Sequence, residues 1–481
     1  MTRRKPADVA GPLAAVLLLL APALWNGFPL LEYDTGGYLA RWFEGTLEVS
    51  RSSAYGLFLV ALARPDFWPA VVVQAALAVW VIALVLRAHG LGRPLVFLIT
   101  VAGLSVATTL PWITSILLTD IFAGLGVLAL YLVLLRGKTL TGFERAALVV
   151  LAAFSGATHN ATLAVELALV AAATAAALFR RGIVPSPGLR RGIAVLALGP
   201  IMLVAANYVV AGQLAWTPGG IALSFGRILQ DGIVARFLAD HCPDPRFKLC
   251  DYRDELPTDA DDFFWDNKSV FERLGRFQGL NDEMRSIVLA SLRDYPLRQI
   301  EAAAIAASRQ LVAVRTGEGA NNSLWHTYRI LEKFTPSTLP AMRAARQQNG
   351  ELDFSAINRL HVPVALASMA LLLIIIALAI REERFADLGP LAAAVAIALL
   401  ANAVVCGVFA NPHDRYGARL VWIAPFVVAL VLWRCAASRR RRQRMPDWRR
   451  WSKTISGRRV TRFPSRQHEM CHARGSSTPG Y

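Results

Sequence analysis

Apolar residues arrive in blocks of about 17–25, the length a helix needs to cross a hydrocarbon core of about 30 Å. The blocks fall at 9–31, 69–87, 95–112, 116–135, 145–159, 161–179, 192–211, 361–380, 386–409 and 417–434. The stretch 145–179 is too long for one crossing, and Thr158-His159-Asn160 is the polar break within it. It reads as two helices with a tight turn. The expected fold class is an all-α polytopic membrane protein of about ten transmembrane helices. One large, mainly helical extracytoplasmic loop domain interrupts them.

Composition agrees with this. The 481 residues are 55% hydrophobic and 18% charged, against about 25% charged in soluble domains. The basic residues Arg3, Arg4 and Lys5 precede the first block. That block exceeds a signal-peptide core and no small-residue cleavage site follows it, so it reads as an uncleaved span.

Loop charge supplies an orientation. Arginine concentrates in loops 87–93, 136–145, 180–191 and 381–384 and in the tail from 434. Loops 111–118, 158–160 and 410–417 hold far less. The positive-inside rule then puts both termini in the cytoplasm of a bacterial-type inner membrane, with loop 212–360 periplasmic or extracellular. Four regions follow. Residues 1–211 form an N-terminal membrane domain with a first outer loop at 32–68. Residues 212–360 form the loop domain, with helical patterning at 216–239 and 281–315. Residues 361–434 form the last spans, and 435–481 a basic, disordered cytoplasmic tail.

The net charge is +17, and the tail holds thirteen Lys/Arg against two Asp/Glu, or 13 − 2 = +11. This pattern excludes nucleic acid as a partner and fits anionic lipid headgroups. The loop 212–360 is nearly neutral, with 18 Lys/Arg and 19 Asp/Glu. Among five cysteines no CxxC pair or Cys/His cluster has zinc spacing. Cys406 lies in a span, while Cys435 and Cys471 flank or lie in the tail. Cys242 and Cys250 lie close together in the loop, where an oxidising compartment favours a disulfide.

Unusual polar residues gather on the outer face. The first outer loop carries Glu32, Asp34, Thr35-Gly36-Gly37 and Arg51. Asp34 is placed either as a helix N-cap ahead of 38–43 or as a reactive carboxylate. Asp120 opens an apolar run and admits the same two readings. Glu166 sits inside a span, where ionisable groups are costly and often functional. His159 and Asn160 form the tight turn between spans, and either satisfy that bend or face a substrate. His413-Asp414-Arg415-Tyr416 and Arg419 put cations where the positive-inside bias disfavours them, inviting a lipid phosphate or a phosphate-bearing substrate. No nucleophile elbow, P-loop, HExxH or dinucleotide fingerprint is present.

With these motifs the layout resembles the GT-C class of membrane glycosyltransferases, in particular the dolichyl-phosphate-mannose and aminoarabinose transferase group. The resemblance covers roughly 10–180 and 405–435. It implies a catalytic base at Asp34, a second acidic residue at Asp120, and an Arg-Tyr pair preceded by His at His413–Tyr416. It further implies a polyprenyl-phosphate sugar donor whose phosphate meets Arg415, His413 or Arg51, with His159, Asn160 and Tyr416 also lining the substrate. Asp120 would orient the partner of Asp34 or bind a divalent metal ion, the one cofactor with a place in this scheme. The acceptor would be an envelope glycan, lipid or protein, and the product an inverted glycoside. A large outer loop before the last few spans is also a familiar feature of the group. Three departures stand out: Thr35 follows Asp34 where many relatives have Glu, family enzymes often have more spans, and the sequence of loop 212–360 matches none of theirs. The competing classes are a transporter or flippase for a lipid-linked envelope component, and a non-catalytic envelope scaffold.

Overall fold

The computed structural model describes residues 6–47, 51–179, 184–217, 220–320 and 324–444. The tail beyond 444, with Cys471 and the disorder expected there, lies outside the described residues. The structure is 80% helical, and no strand is present among the described residues.

The chain begins with α1 (Pro6–Leu19), α2 (Ala21–Asn26), α3 (Tyr33–Glu44), α4 (Ser53–Ala61) and α5 (Trp68–Ala88). Then come α6 (Pro94–Ala107), α7 (Leu110–Ser115), α8 (Asp120–Leu135), α9 (Gly142–Thr158), α10 (Asn160–Phe179) and α11 (Ser186–Ala211). A series of shorter helices follows: α12 (Ser224–Gln230), α13 (Ile233–His241), α14 (Ala260–Trp265), α15 (Val270–Arg273), α16 (Arg276–Asp294), α17 (Pro296–Val312), α18 (Trp325–Phe334) and α19 (Leu339–Ala344). The last are α20 (Ser355–Arg381), α21 (Gly389–Phe409), α22 (Asp414–Val421) and α23 (Ile423–Arg444).

Among the described residues six helical segments are long and apolar enough to cross a bilayer: α5, α10, α11, α20, α21 and the stretch Asp414–Ser438. Their outward faces carry large aliphatic side chains; Ile201 is 60% exposed, Leu373 67% and Ile380 82%. Such continuous apolar surface is covered by lipid rather than water. Shorter apolar helices accompany them at Ala10–Leu19, Pro94–Ala107 and Asp120–Leu135.

Two of the expected blocks are interrupted, for identifiable reasons. The block at 9–31 divides between α1 and α2. Pro22, in the first turn of α2, has no N–H to offer the preceding turn. The helix then stops at Gly27, whose φ of +83° is a left-handed conformation that costs a glycine nothing. The block at 95–112 divides at Thr108, which is extended, and Pro111 opens α7. The block at 116–135 becomes helical only at Asp120.

The freed backbone is not left to the membrane. Leu30 and Ile116 form an isolated parallel bridge: Leu30 N–H donates to Ser115 O and Leu117 N–H to Leu30 O, both at 2.9 Å. The Gln347 side chain acts as a further strand partner. Its Oε1 accepts from Leu31 N–H at 2.9 Å, and its Nε2 donates to Leu31 O at 2.7 Å. Buried backbone groups are almost always paired, and these two interruptions pair with each other and with residue 347.

Helices α12 to α16 enclose a separate apolar core built on Phe225, Phe237, Phe263, Phe271 and Met284. Cys242 and Cys250 are joined by a disulfide beside it. At the other end of the chain α23 stays helical to Arg444, ten residues beyond the expected end of the last span at 434.

Candidate functional site

The site is assembled where the helices are interrupted. Glu32 is the N-cap of α3. It accepts a hydrogen bond from Asp34 N–H at 2.6 Å, and Thr35 Oγ1 accepts one from Glu32 N–H at 3.0 Å. This reciprocal pair is a capping box. The helix therefore starts at Tyr33, and the cap expected of Asp34 is made by Glu32. Asp34 lies in the first turn of α3 with its carboxylate free for other partners.

Those partners are guanidinium groups. Arg51 forms an ion pair with Asp34. It is placed by the segment between α3 and α4, where Arg41 Nη1 donates to Arg51 O. Next to it Ser52 caps α4 and donates to Ala157 O at 2.6 Å. Arg415 enters from α22. Its Nη1 lies 2.7 Å from Glu32 Oε1 and 3.0 Å from Asp34 Oδ2, and its Nε lies 3.3 Å from Asp120 Oδ2. One guanidinium thus gathers three carboxylates, two of them more than 380 residues away in sequence. Glu32, Asp34 and Asp120 are all buried.

The start of α22 is fixed by neighbours. Gln310 Nε2 donates to His413 O at 2.8 Å and Gln310 Oε1 accepts from His413 N–H at 2.9 Å. Glu318 Oε2 accepts from Arg415 N–H at 2.6 Å, and Asp414 Oδ1 accepts from Arg315 N–H at 2.9 Å.

Electrostatics sorts the acids. Burial pushes Glu32 up to about 7; Arg415 opposes that and the Asp34 charge adds to it. Burial also acts on Asp34, but Arg51 and Arg415 outweigh it and hold that carboxylate below its ordinary value. For His413, burial disfavours the charged ring, yet the nearby Glu318 and Asp261 carboxylates raise it overall.

The structure brings Asp34, Asp120, Arg51 and Arg415 together. The remaining expected residues lie around them. His413 bonds Glu318 at 2.9 Å and faces Asp261 at 3.8 Å, away from the three acids. The Tyr416 ring lies 5.7 Å from the Arg415 guanidinium and 5.6 Å from that of Arg419. His159 Nδ1 lies 3.3 Å from Arg419 Nη1. Asn160 is exposed at the start of α10 and takes no part in the cluster. Glu166 lies apart, fully buried, with neither oxygen hydrogen-bonded. A Cβ at Gly126 or Gly156 would come within 2.7 or 2.6 Å of its carboxylate.

Two residues beside the site, Glu32 and Arg419, stand out in the sequence as outer-face charges but carry no assigned role there. Glu32 sits beside Asp34, and only its inward rotation makes it an Arg415 ligand. Arg419 is buried, with the neutral groups Asn402 Oδ1 at 2.7 Å and Cys406 Sγ at 3.3 Å as partners, and its Nε is unpartnered. No ion pair to Arg419 is present among the described residues. Its place against the positive-inside bias was the available signal.

Among the described residues no group of three or more His, Cys, Asp or Glu side chains is spaced for a metal ion. Glu32, Asp34 and Asp120 instead converge on Arg415, whose guanidinium fills the position a cation would take. A cleft opens beside this centre. Asp120, Arg415 and Glu318 line its polar side, and Leu30, Ile113 and Phe354 its apolar side.

Fold and site together define an all-α membrane protein with a buried ionic centre at the junction of interrupted helices. Comparison with protein-family models, with curated proteins and with solved structures finds no match for this chain.

Proposed function

We propose that this chain is an inverting membrane glycosyltransferase of the GT-C type, moving a sugar from a polyprenyl-phosphate donor to an envelope acceptor. One observation carries the reading: Arg415 holds Glu32, Asp34 and Asp120 together, and Arg415 and Asp120 themselves line a cleft whose other wall is apolar. A lipid-linked phosphate needs this combination of a guanidinium for its oxygens and an apolar wall for its chain.

In this reading the protein crosses a bacterial-type inner membrane about ten times. Both termini face the cytoplasm, and residues 212–360 form a domain on the opposite side, where the Cys242–Cys250 disulfide is stable. The shorter helices α1, α6, α8 and α9 count among the crossings, with the interruptions at 20, 27–32 and 108–119 buried in protein.

Chemistry follows from the ion pairs. The donor phosphate takes the guanidinium groups of Arg415 and Arg51, which in its absence are paired to Asp34. Relieved of those cations, the Asp34 carboxylate becomes more basic. It accepts the proton of the acceptor hydroxyl as that oxygen bonds to the anomeric carbon. The carbon–oxygen bond to phosphate breaks, and its electron pair leaves on the polyprenyl phosphate, whose charge the arginines stabilise. Asp120 orients Arg415.

The test is turnover of a polyprenyl-phosphate sugar by purified protein in lipid nanodiscs, the sugar being chosen by lipid-linked glycan profiling of a deletion strain. Asp34→Asn should lower turnover by about 10²–10⁴-fold. Full activity in that variant would remove Asp34 from the role of base.

A further inference from the structure

Helices α3 and α18 run side by side in the same direction, joined along their length. Thr327 Oγ1 accepts from Gly36 N–H at 3.0 Å, and lies 2.9 Å from Glu32 O and 2.7 Å from Tyr33 O, to which it donates. The contact is so close that a Cβ on Gly36 would stand 2.7 Å from Thr327 Cα. Further along, Phe43 stacks on Phe334 with ring centroids 4.8 Å apart, and Lys333 pairs with Glu44 at 2.9 Å. This seam ties the start of α18 to the turn that carries Asp34.

Three aromatic rings meet at that end of the seam. The Tyr33 and His326 rings lie 5.8 Å apart and are inclined by only 30°. Trp325 stands nearly perpendicular to both, at 77° to Tyr33 with centroids 6.3 Å apart and at 82° to His326 at 5.8 Å. They form a corner with a floor and a wall. Trp325 is 51% exposed. The Arg329 guanidinium lies 5.2 Å from the indole centroid and brings N–H donors to the rim. Tyr33 immediately precedes Asp34 in the first turn of α3.

We infer that Tyr33, Trp325 and His326 form an acceptor subsite for a pyranose ring, which they present to Asp34. The inference rests on the glycosyltransferase reading above and narrows its acceptor to a glycan. A pyranose has an apolar C–H face and a rim of hydroxyls. Aromatic faces carry partial negative charge and attract polarised C–H groups, while carboxylate and guanidinium groups bond the rim. Isolated aromatic side chains at a membrane boundary serve as anchors. These three differ in that they touch one another, are held to the α3 backbone through Thr327, and include the residue that immediately precedes Asp34.

Saturation-transfer NMR on the full chain in nanodiscs, with methyl α-D-mannopyranoside and methyl β-D-glucopyranoside as probes, tests this. At least one probe should bind, with transfer strongest to its ring C–H protons. Trp325→Ala should weaken that binding by about tenfold or more. Trp325→Phe, which keeps a ring, should restore most of it. Trp265→Ala, at a 48% exposed indole on α14, should leave it unchanged. The subsite is overturned if neither pyranoside shows transfer, or if Trp325→Ala binds as wild type and only its vesicle partitioning changes. Asp34→Asn retains a hydrogen-bonding side chain and should keep the binding. Lost binding in Trp325→Ala with full turnover in Asp34→Asn would refute the base while leaving the subsite. Retained binding in Trp325→Ala with turnover lost in Asp34→Asn would do the reverse.

Discussion

The two ends of α8 handle charge in opposite ways. At its N-terminal end Asp120, Glu32 and Asp34 crowd around Arg415, all four buried or nearly so. Asp120 Oδ1 has no hydrogen-bond partner. Past its C-terminal end Arg136 donates to Tyr131 Oη at 3.1 Å and to Asp387 O at 2.5 Å, and His89 lies 3.2 Å from Asp387. Arg87 there grips Glu144 with two hydrogen bonds of 2.9 and 2.7 Å, its side chain 46% exposed. The second arrangement pairs charges nearly one to one at a wet boundary. The first gathers three carboxylates around two guanidinium groups, those of Arg415 and Arg51, in a dry one. Charges that only anchor helix ends do not require such an excess; a site that must exchange one anion for another does.

The largest expected effect comes from removing the cation at each end. Arg415→Met leaves three buried carboxylates with a lost partner and should cost about 3–5 kcal/mol. Arg87→Met, at a pair open to solvent, should cost less than about 1 kcal/mol. Thermal unfolding of the purified variants in detergent measures both, and equal losses would erase the contrast.

A smaller effect concerns pH. Glu32 has an ordinary value of 4.5 in the unfolded chain and about 7 in the fold. Between those values the folded state holds a proton that the unfolded state has released, so this group's contribution to stability falls as pH rises. The fall is on the order of 3 kcal/mol and levels off above about 7. Glu32→Gln cannot lose that proton, and its unfolding temperature should be flatter than that of wild type from pH 5 to 7. An unchanged slope would place the titration elsewhere.

The smallest effect is that of salt. Raising it from about 0.05 to 0.5 M screens exposed pairs but hardly reaches buried ones. The difference in stability between wild type and Arg87→Met should shrink by a few tenths of a kcal/mol. That between wild type and Arg415→Met should hold.

Long apolar helices such as α5, α10, α20 and α21 are legible in the sequence because lipid imposes one requirement along their whole length. The interruptions in the blocks at 9–31 and 95–112 are not. Their hydropathy is continuous, and the break comes from Pro22, Gly27 and Pro111 together with a bridge between residues 30 and 116. In the site, Asp34, Asp120, Arg51 and Arg415 could be singled out because each is a charge at the edge of an apolar run. Their convergence on one guanidinium depends on tertiary placement. Asn160 stands out for the same local reason and points elsewhere. Trp325 and His326 lie beyond the stretches 216–239 and 281–315 whose helical patterning is legible, and their placement beside α3 comes from Thr327 docking on Gly36.

Arg415 also sets an order on how the molecule is made. Glu32, Asp34 and Asp120 leave the ribosome nearly three hundred residues or more before the arginine that neutralises them. Until α22 is synthesised, the first eight helices hold these three carboxylates with only the Arg51 guanidinium beside them, paired to Asp34. The insertion machinery must keep that cluster in contact with water or with itself while roughly three-fifths of the chain is still being translated. A chain cut short before residue 415 would therefore keep Arg51 for Asp34 but leave Glu32 and Asp120 buried without the guanidinium that gathers them.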